Sequence, residues 1–236
     1  IEWLKENFDI GMITIGEADA TQLNADIAFK VLGWRDLFRP LRGVQLLNLS
    51  KDEQVTVELD GLYFKKLEMS RTYMESDFLI SFGKLKIHDS AGISCILKNQ
   101  FGAYPVKYKA KFHKHLSEVI HDLNKVKIPD LCVVDGIIGM EGCGPISGVP
   151  KPVGIVIVGD DPVGTDHACA KVMGMNPKRI RYLRLAIKKK LGNPEYETVG
   201  DSIEVAETKF KFGRSRFRKA VDRLYGLSRS PLVNVS

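Results

Sequence analysis

The sequence predicts an α/β protein with a mixed, mainly parallel sheet covered by helices on both faces, and three observations carry that expectation. Apolar runs such as VGIVIVGDD at 153–161 have the near-continuous hydrophobicity of strands buried on two faces. Segments of helical spacing separate these runs, so strands and helices alternate along the chain. Two of the helical segments open on a proline, Pro162 and Pro177, where a first turn has no use for an amide hydrogen. The 236 residues, 44% of them hydrophobic, suffice for a sizeable core and read as a single α/β domain over 1–236.

Taken in order, residues 1–8 carry Ile1, Leu4 and Phe8 at helical spacing, and 10–18 reads as a buried strand. Asp19 or Thr21 suits the N-cap of the next helix, with Leu23, Ile27, Val31 and Leu32 on its inner face and Gly33 at its end. A strand is expected at 44–50, then a hairpin joined through Asp60 and Gly61. The apolar run 78–82 reads as the central strand, followed by a helix over about 91–100, a loop containing Pro105 and a helix over about 113–124. Strands at 130–140 and 153–161 flank the glycine-rich MEGCGPISGVP. Helices at 162–175 and 177–191, a short strand near 199–205 and a basic helix near 215–227 complete the chain. Within 177–191, Ile180, Leu183 and Ile187 are expected to be buried and the arginines and lysines solvated.

A net charge of +6 and a pI near 9.0 point to an acidic partner. The excess is uneven: it concentrates at 178–190 and 209–223, and 207–236 stands out as a basic C-terminal segment. No run of about 18 apolar residues occurs, and the opening IEWLKENFDI is charged where a signal peptide needs an apolar core, so a cytoplasmic protein without a membrane partner is expected. The chain begins without Met inside an amphipathic segment, and a preceding portion is expected to be missing. Cys95, Cys132, Cys143 and Cys169 show no CxxC spacing and read as reduced, mostly buried thiols.

The residues with chemical potential cluster around the central strand. Lys84, Lys86 and His88 follow its apolar run, and Lys98 and Asn99 follow a small-residue turn. Charged side chains just past a buried strand are well placed to meet a ligand, lysine as a point charge for an anion and imidazole as a proton carrier. Lys107, Lys109, Lys111, His113 and His115 form a second cationic group, in which the three lysines read as solvated. His88, Lys98 and His113 are the candidate catalytic residues; Lys84, Lys86, Asn99, Gly142 and Gly144 are candidate contacts to a small anionic ligand. The glycine-rich loop matches neither GxGxxG nor a Walker A loop, and a rigid turn between strands explains it equally well. Asp135, Glu141, Asp161 and Asp166 fall at expected strand ends and are candidates for a divalent metal, although Asp161 also suits an N-cap.

As a set, KLKIH (84–88), LKNQFG (97–102), KFH (111–113), PDLCVVDGIIGMEGCGPISG (129–148), DDPVGTD (160–166) and VMGM (172–175) resemble the family catalogued as domain of unknown function 362. That family includes proteins labelled iron-sulfur centre proteins. The resemblance implies a further N-terminal portion before this fold, a redox-associated role and a ferredoxin-type partner. Its cluster-binding cysteines, where present, lie in a separate module, so no iron-sulfur cluster is implied here. A more remote likeness is to lactate racemase-like proteins, whose His, Ala-Gly, Ser, Lys and later His match His88, Ala91-Gly92, Ser94, Lys98 and His113. It implies a nickel pincer nucleotide held through Lys98, but larger residues at 95–97 stand where that family has two glycines.

Three functions follow. The favoured one is an enzyme acting on a small anionic substrate or cofactor. A nucleic-acid binder is the second, from the aromatic residues Phe210, Phe212, Phe217 and Tyr225 among the C-terminal cations. A non-catalytic partner of an iron-sulfur protein is the third.

Overall fold

The computed structural model describes residues 1–21 and 23–213. Most of the basic segment 207–236, with the helix expected near 215–227, lies outside the described residues. The chain gathers into two compact units, the first formed by Ile1–Leu59, Lys65–Asp77 and Gly102–His113, the second by Asp60–Phe64, Phe78–Phe101 and the chain from Lys114.

The first unit contains α1 (Glu2–Asn7), β1 (Ile13–Glu17), α2 (Ala25–Val31), α3 (Trp34–Phe38), β2 (Val44–Asn48), β3 (Gln54–Glu58), β4 (Lys66–Ser70) and α4 (Arg71–Glu75). β1 and β2 pair in parallel, and β3 and β4 form the expected antiparallel hairpin. In α2 the sequence reading is rotated: Ala25 and Phe29 are buried, whereas Leu23, Ile27, Val31 and Leu32 are exposed. Phe29 stacks on Trp34 of α3 at 5.8 Å, and that aromatic contact sets which stripe faces inward. Asn24 caps α2 by accepting from the Ile27 amide, while Asp19 accepts from the Ala25 amide and from Asn24 and Asn48, tying the end of β1 to the end of β2.

The second unit holds a four-stranded sheet of β5 (Ile80–His88), β6 (Gly92–Ser94), β7 (Leu131–Cys143) and β8 (Ser147–Gly159) in the order β6-β5-β7-β8. α5 (Gln100–Ala103), α6 (Leu116–Val126), α7 (Pro162–Val172), α8 (Arg181–Lys188) and α9 (Ile203–Ala206) complete the described helices. α7 packs on β7 and β8, and α8 packs on α6 and α7. The class and the mixed sheet are those predicted, but the proportions differ. Of the five strand pairings among the described residues, two are parallel and three antiparallel.

Two local differences matter for the site. The helix expected over 91–100 does not form, because Gly92 turns the chain at a φ of +92° so that Gly92–Ser94 pairs antiparallel with His88–Lys86 of β5. The glycine-rich stretch is the far end of a long β7–β8 ribbon, paired from Cys132↔Gly159 to Cys143↔Ser147. Elsewhere, α9 replaces the strand expected near 199–205. In the basic helix Ile180 and Leu183 are buried, Ile187 is half-buried and Arg181 and Arg184 face water, as expected.

Strand alternation gives the four-stranded sheet two unlike faces. Ser81, Gly83, Leu85, Cys132 and Val134 are buried on one. On the other, Phe82 pairs across Val133 to Val158, and Lys84 across Asp135 to Val156. Phe82, Val156 and Val158 are each more than half exposed there.

Candidate functional site

β5 is the spine of the site. Its odd-numbered residues enter the core, and that places Phe82, Lys84 and Lys86 in one row on the open face. Lys84 reaches across to Asp135 of β7 at 2.6 Å, and the ammonium holds the Asp135 carboxyl below the usual carboxylate range, helped by the Ile137 amide. This pair is about one-third exposed or more on both sides, so its net stabilisation is at most ~1 kcal/mol and a competing anion can exchange into it. The register with β7 shifts between Lys84 and Lys86, which bends the strand where its cations emerge.

A second segment runs alongside β5. Ser94 pairs with Lys86, the Cys95 carbonyl lies 2.7 Å from where a Cβ on Gly83 would stand, and Asn99 Nδ2 donates to Ser81 Oγ and the Phe82 carbonyl at 3.2 Å each. The structure thus brings Lys98 and Asn99 beside the lysine-bearing strand. Lys98 Nζ lies over the Phe101 ring, 4.7 Å from its centroid.

The turn before Lys98 is held from two sides by buried polar groups. The Asp166 carboxylate, on α7, accepts from the Ile96 amide at 2.7 Å, the Leu97 amide at 3.3 Å and the Tyr182 hydroxyl at 2.9 Å. From α6, Asn124 donates to the Leu97 carbonyl at 2.9 Å. Burial pushes Asp166 up to about 6 against the opposing pull of these hydrogen bonds.

The other candidates are placed by local structure. His88 is buried, and its Nδ1 accepts from the amides of Ser90 and Ala91, closing the turn from β5 to β6. Gly142, at a φ of +81°, donates its amide to the Lys211 carbonyl and accepts from the Gly213 amide. A Cβ on Gly144 would lie 2.0 Å from the Ile87 carbonyl oxygen, so glycine there serves a backbone crossing. His113 is exposed and belongs to the first unit, whereas His88 and Lys98 belong to the second.

The four carboxylates do separate jobs. Asp135 pairs with Lys84; Glu141 accepts from the Lys211 amide and pairs with Lys151; Asp161 caps α7 through the Val163 and Gly164 amides and also accepts from Asn193. Asp166 holds the 96–97 turn. Among the described residues no group of three or more His, Cys, Asp or Glu side chains is arranged to hold a metal ion. The nickel pincer nucleotide fits poorly for a steric reason. Cys95, Ile96 and Leu97, at most 1% exposed, fill the space before Lys98, and the Cys95 backbone lies against Gly83.

Several pivotal polar residues are not singled out by the sequence reading. Asp122 on α6 is fully buried and accepts from the amides of Leu62, Tyr63 and Phe64 and from the His121 ring. Burial opposes its ionisation, yet these donors together hold its carboxyl below the usual range. Tyr182 and Asn124 are buried too, and the available signal is a polar side chain at an inner position of an amphipathic helix. In the first unit Lys107 and Lys111 are exposed, as expected, but Lys109 is buried and donates to the Gly102 carbonyl at 3.0 Å. Burial pulls Lys109 down to about 8 against the attraction of Glu17 and Asp19.

Fold and site together define an α/β protein with a lysine-bearing strand on the open face of a mixed sheet. A family model described as Domain of unknown function (DUF362) matches residues 1–171, and the chain belongs to that family. It is 32% identical over 143 residues to the thylakoid-associated protein sll1697 of Synechocystis sp., a match covering 57% of this chain and 44% of that protein. The chain therefore spans less than half the length of the curated relative it matches. No solved structure matches it. Among the described residues no helix is long and apolar enough to cross a membrane.

Proposed function

We propose that the protein binds a small carboxylate- or phosphate-bearing ligand at β5, through Lys84 and Lys86 on its open face and Lys98 of the turn beside it. The observation that carries this reading is the juxtaposition of the lysine row on β5 with the 98–99 turn, which Asn99 tethers to Ser81 and Phe82. Lysines supply charge, Asn99 spends its amide donors on Ser81 and Phe82 to fix the turn, and Phe82 offers apolar surface to the body of an organic anion. Asp135 orients Lys84 until the ligand competes for it. Binding is better supported than proton transfer, since His88 is buried and its Nδ1 accepts from the Ser90 and Ala91 amides of its own turn. A redox-associated role beside a ferredoxin-type protein, in the cytoplasm, is an extension of this reading that pull-down and cell fractionation would test.

The direct test is isothermal titration of the protein with inorganic phosphate and with malonate. K86M and K98M are each expected to weaken the better of the two probes by about tenfold, equivalent to one charge-assisted contact, with the melting temperature within a few degrees of wild type. Equal affinity in wild type and both variants would sink the proposal.

A further inference from the structure

Asp166 presents a problem of stability. A carboxylate with 0% exposure is costly, and here its desolvation outweighs three hydrogen bonds, so that above a pH of about 6 the ionised group works against folding. The groups around it do not offset the charge. Tyr182, Cys95, Cys132 and Cys169 all interact with it, and burial pushes each of them up, so they stay neutral near pH 7. Nor does packing require a charge at this place, since the neighbouring side chains of Ile96, Leu97 and Val163 are apolar and fully buried.

What the carboxylate does instead is geometric. Its two oxygens divide the work: Oδ1 takes the Ile96 amide, and Oδ2 takes the Leu97 amide and the Tyr182 hydroxyl. Asn124 holds the Leu97 carbonyl from α6. The turn is thereby fixed through its backbone by α6, α7 and α8, and the next two residues are Lys98 and Asn99. We propose that Asp166, oriented by Tyr182, is the positioning residue of the anion site, fixing the Ile96–Leu97 backbone so that Asn99 meets β5 and Lys98 is held beside it for the ligand. This inference rests on the anion-binding reading for its ligand, but not for its geometry.

In D166N an amide NH2 replaces one acceptor oxygen and confronts a backbone N–H, so the turn shifts while side-chain volume is kept. Two measurements separate the outcomes. Titration with inorganic phosphate and malonate is expected to show a loss of about tenfold for D166N, as for other residues that orient a contact group, and about threefold for Y182F, which removes one hydrogen bond. Independently of any ligand, the dimethylamine NMR signal of reductively methylated Lys98 and the amide signals of 96–99 are expected to move in both variants.

Unmoved Lys98 and 96–99 signals in Y182F and D166N would overturn the positioning role, whatever the affinities. If neither probe binds wild type but these signals move, the anion reading fails and the positioning role stands. Y182F keeps the test decisive should D166N not fold.

Discussion

At the scale of single residues, carboxylates are used here to hold backbone in place, two of them, Asp122 and Asp166, fully buried. Asp122 collects three amides of the 62–64 segment, Asp161 two at the start of α7, and Asp166 two at the turn before Lys98. At Asp166 the donors it satisfies are buried, and leaving one without a partner would cost about 1–3 kcal/mol. Lys109 in the first unit differs, because the fold favours its neutral form. Its pKa falls from 10.5 to about 8 on folding, so the unfolded chain binds more protons between those values, and stability rises with pH across that window. Urea unfolding at pH 7.5 and at pH 10 should show this alkaline gain in wild type and lose it in K109M. A gain of the same size in K109M would assign it to other groups.

At the scale of elements, the β7–β8 ribbon and β5 set what can be reached. Pro150 and Pro152 occupy the outer half of β8, opposite Met140 and Ile138, where a missing amide hydrogen blunts an exposed sheet edge. Gly144 lets the end of the ribbon cross the backbone of β5 at Ile87, and the Asp89 amide donates to the Gly144 carbonyl. A methyl group there would meet the Ile87 carbonyl oxygen, a backbone atom that cannot swing aside. G144A is therefore expected to lose ~2 kcal/mol or more of stability in denaturant unfolding. An unchanged midpoint would show that the crossing relaxes and would return Gly144 to consideration as a ligand contact.

At the scale of the whole molecule, the net charge of +6 is divided between cations on the face of β5, those of the α8 helix, and a C-terminal segment beyond 213. The anion-site reading uses the first together with Lys98, whereas the nucleic-acid reading uses the last. Deleting 214–236 is accordingly expected to leave phosphate or malonate affinity within about twofold of wild type, since the anion-site reading uses no residue of that segment. A loss of tenfold or more in the truncated chain would move the site to the C-terminal segment.

The sequence by itself determined the α/β class, the presence of strands at β5 and β8, the solvated face of the basic helix and the family, because hydrophobic period and short motifs are local properties; the lysines it set beyond the central strand lie within β5, which runs on to His88. It also brought Lys84, Lys86, Lys98 and Asn99 forward as candidates. Only the tertiary structure decided that 91–100 pairs as a strand and turn, that α2 buries Phe29 rather than Ile27, and that Asp166 binds backbone, whereas the N-cap role of Asp161 is legible in the sequence. Those outcomes turn on partners that the fold brings together: Ser94 on Lys86, Phe29 on Trp34, and Asp166 on Ile96 seventy positions away. A carboxylate at a helix start looks the same in sequence whether it awaits a metal or an amide. Its neighbours in space decide, through desolvation and the donors they aim at it.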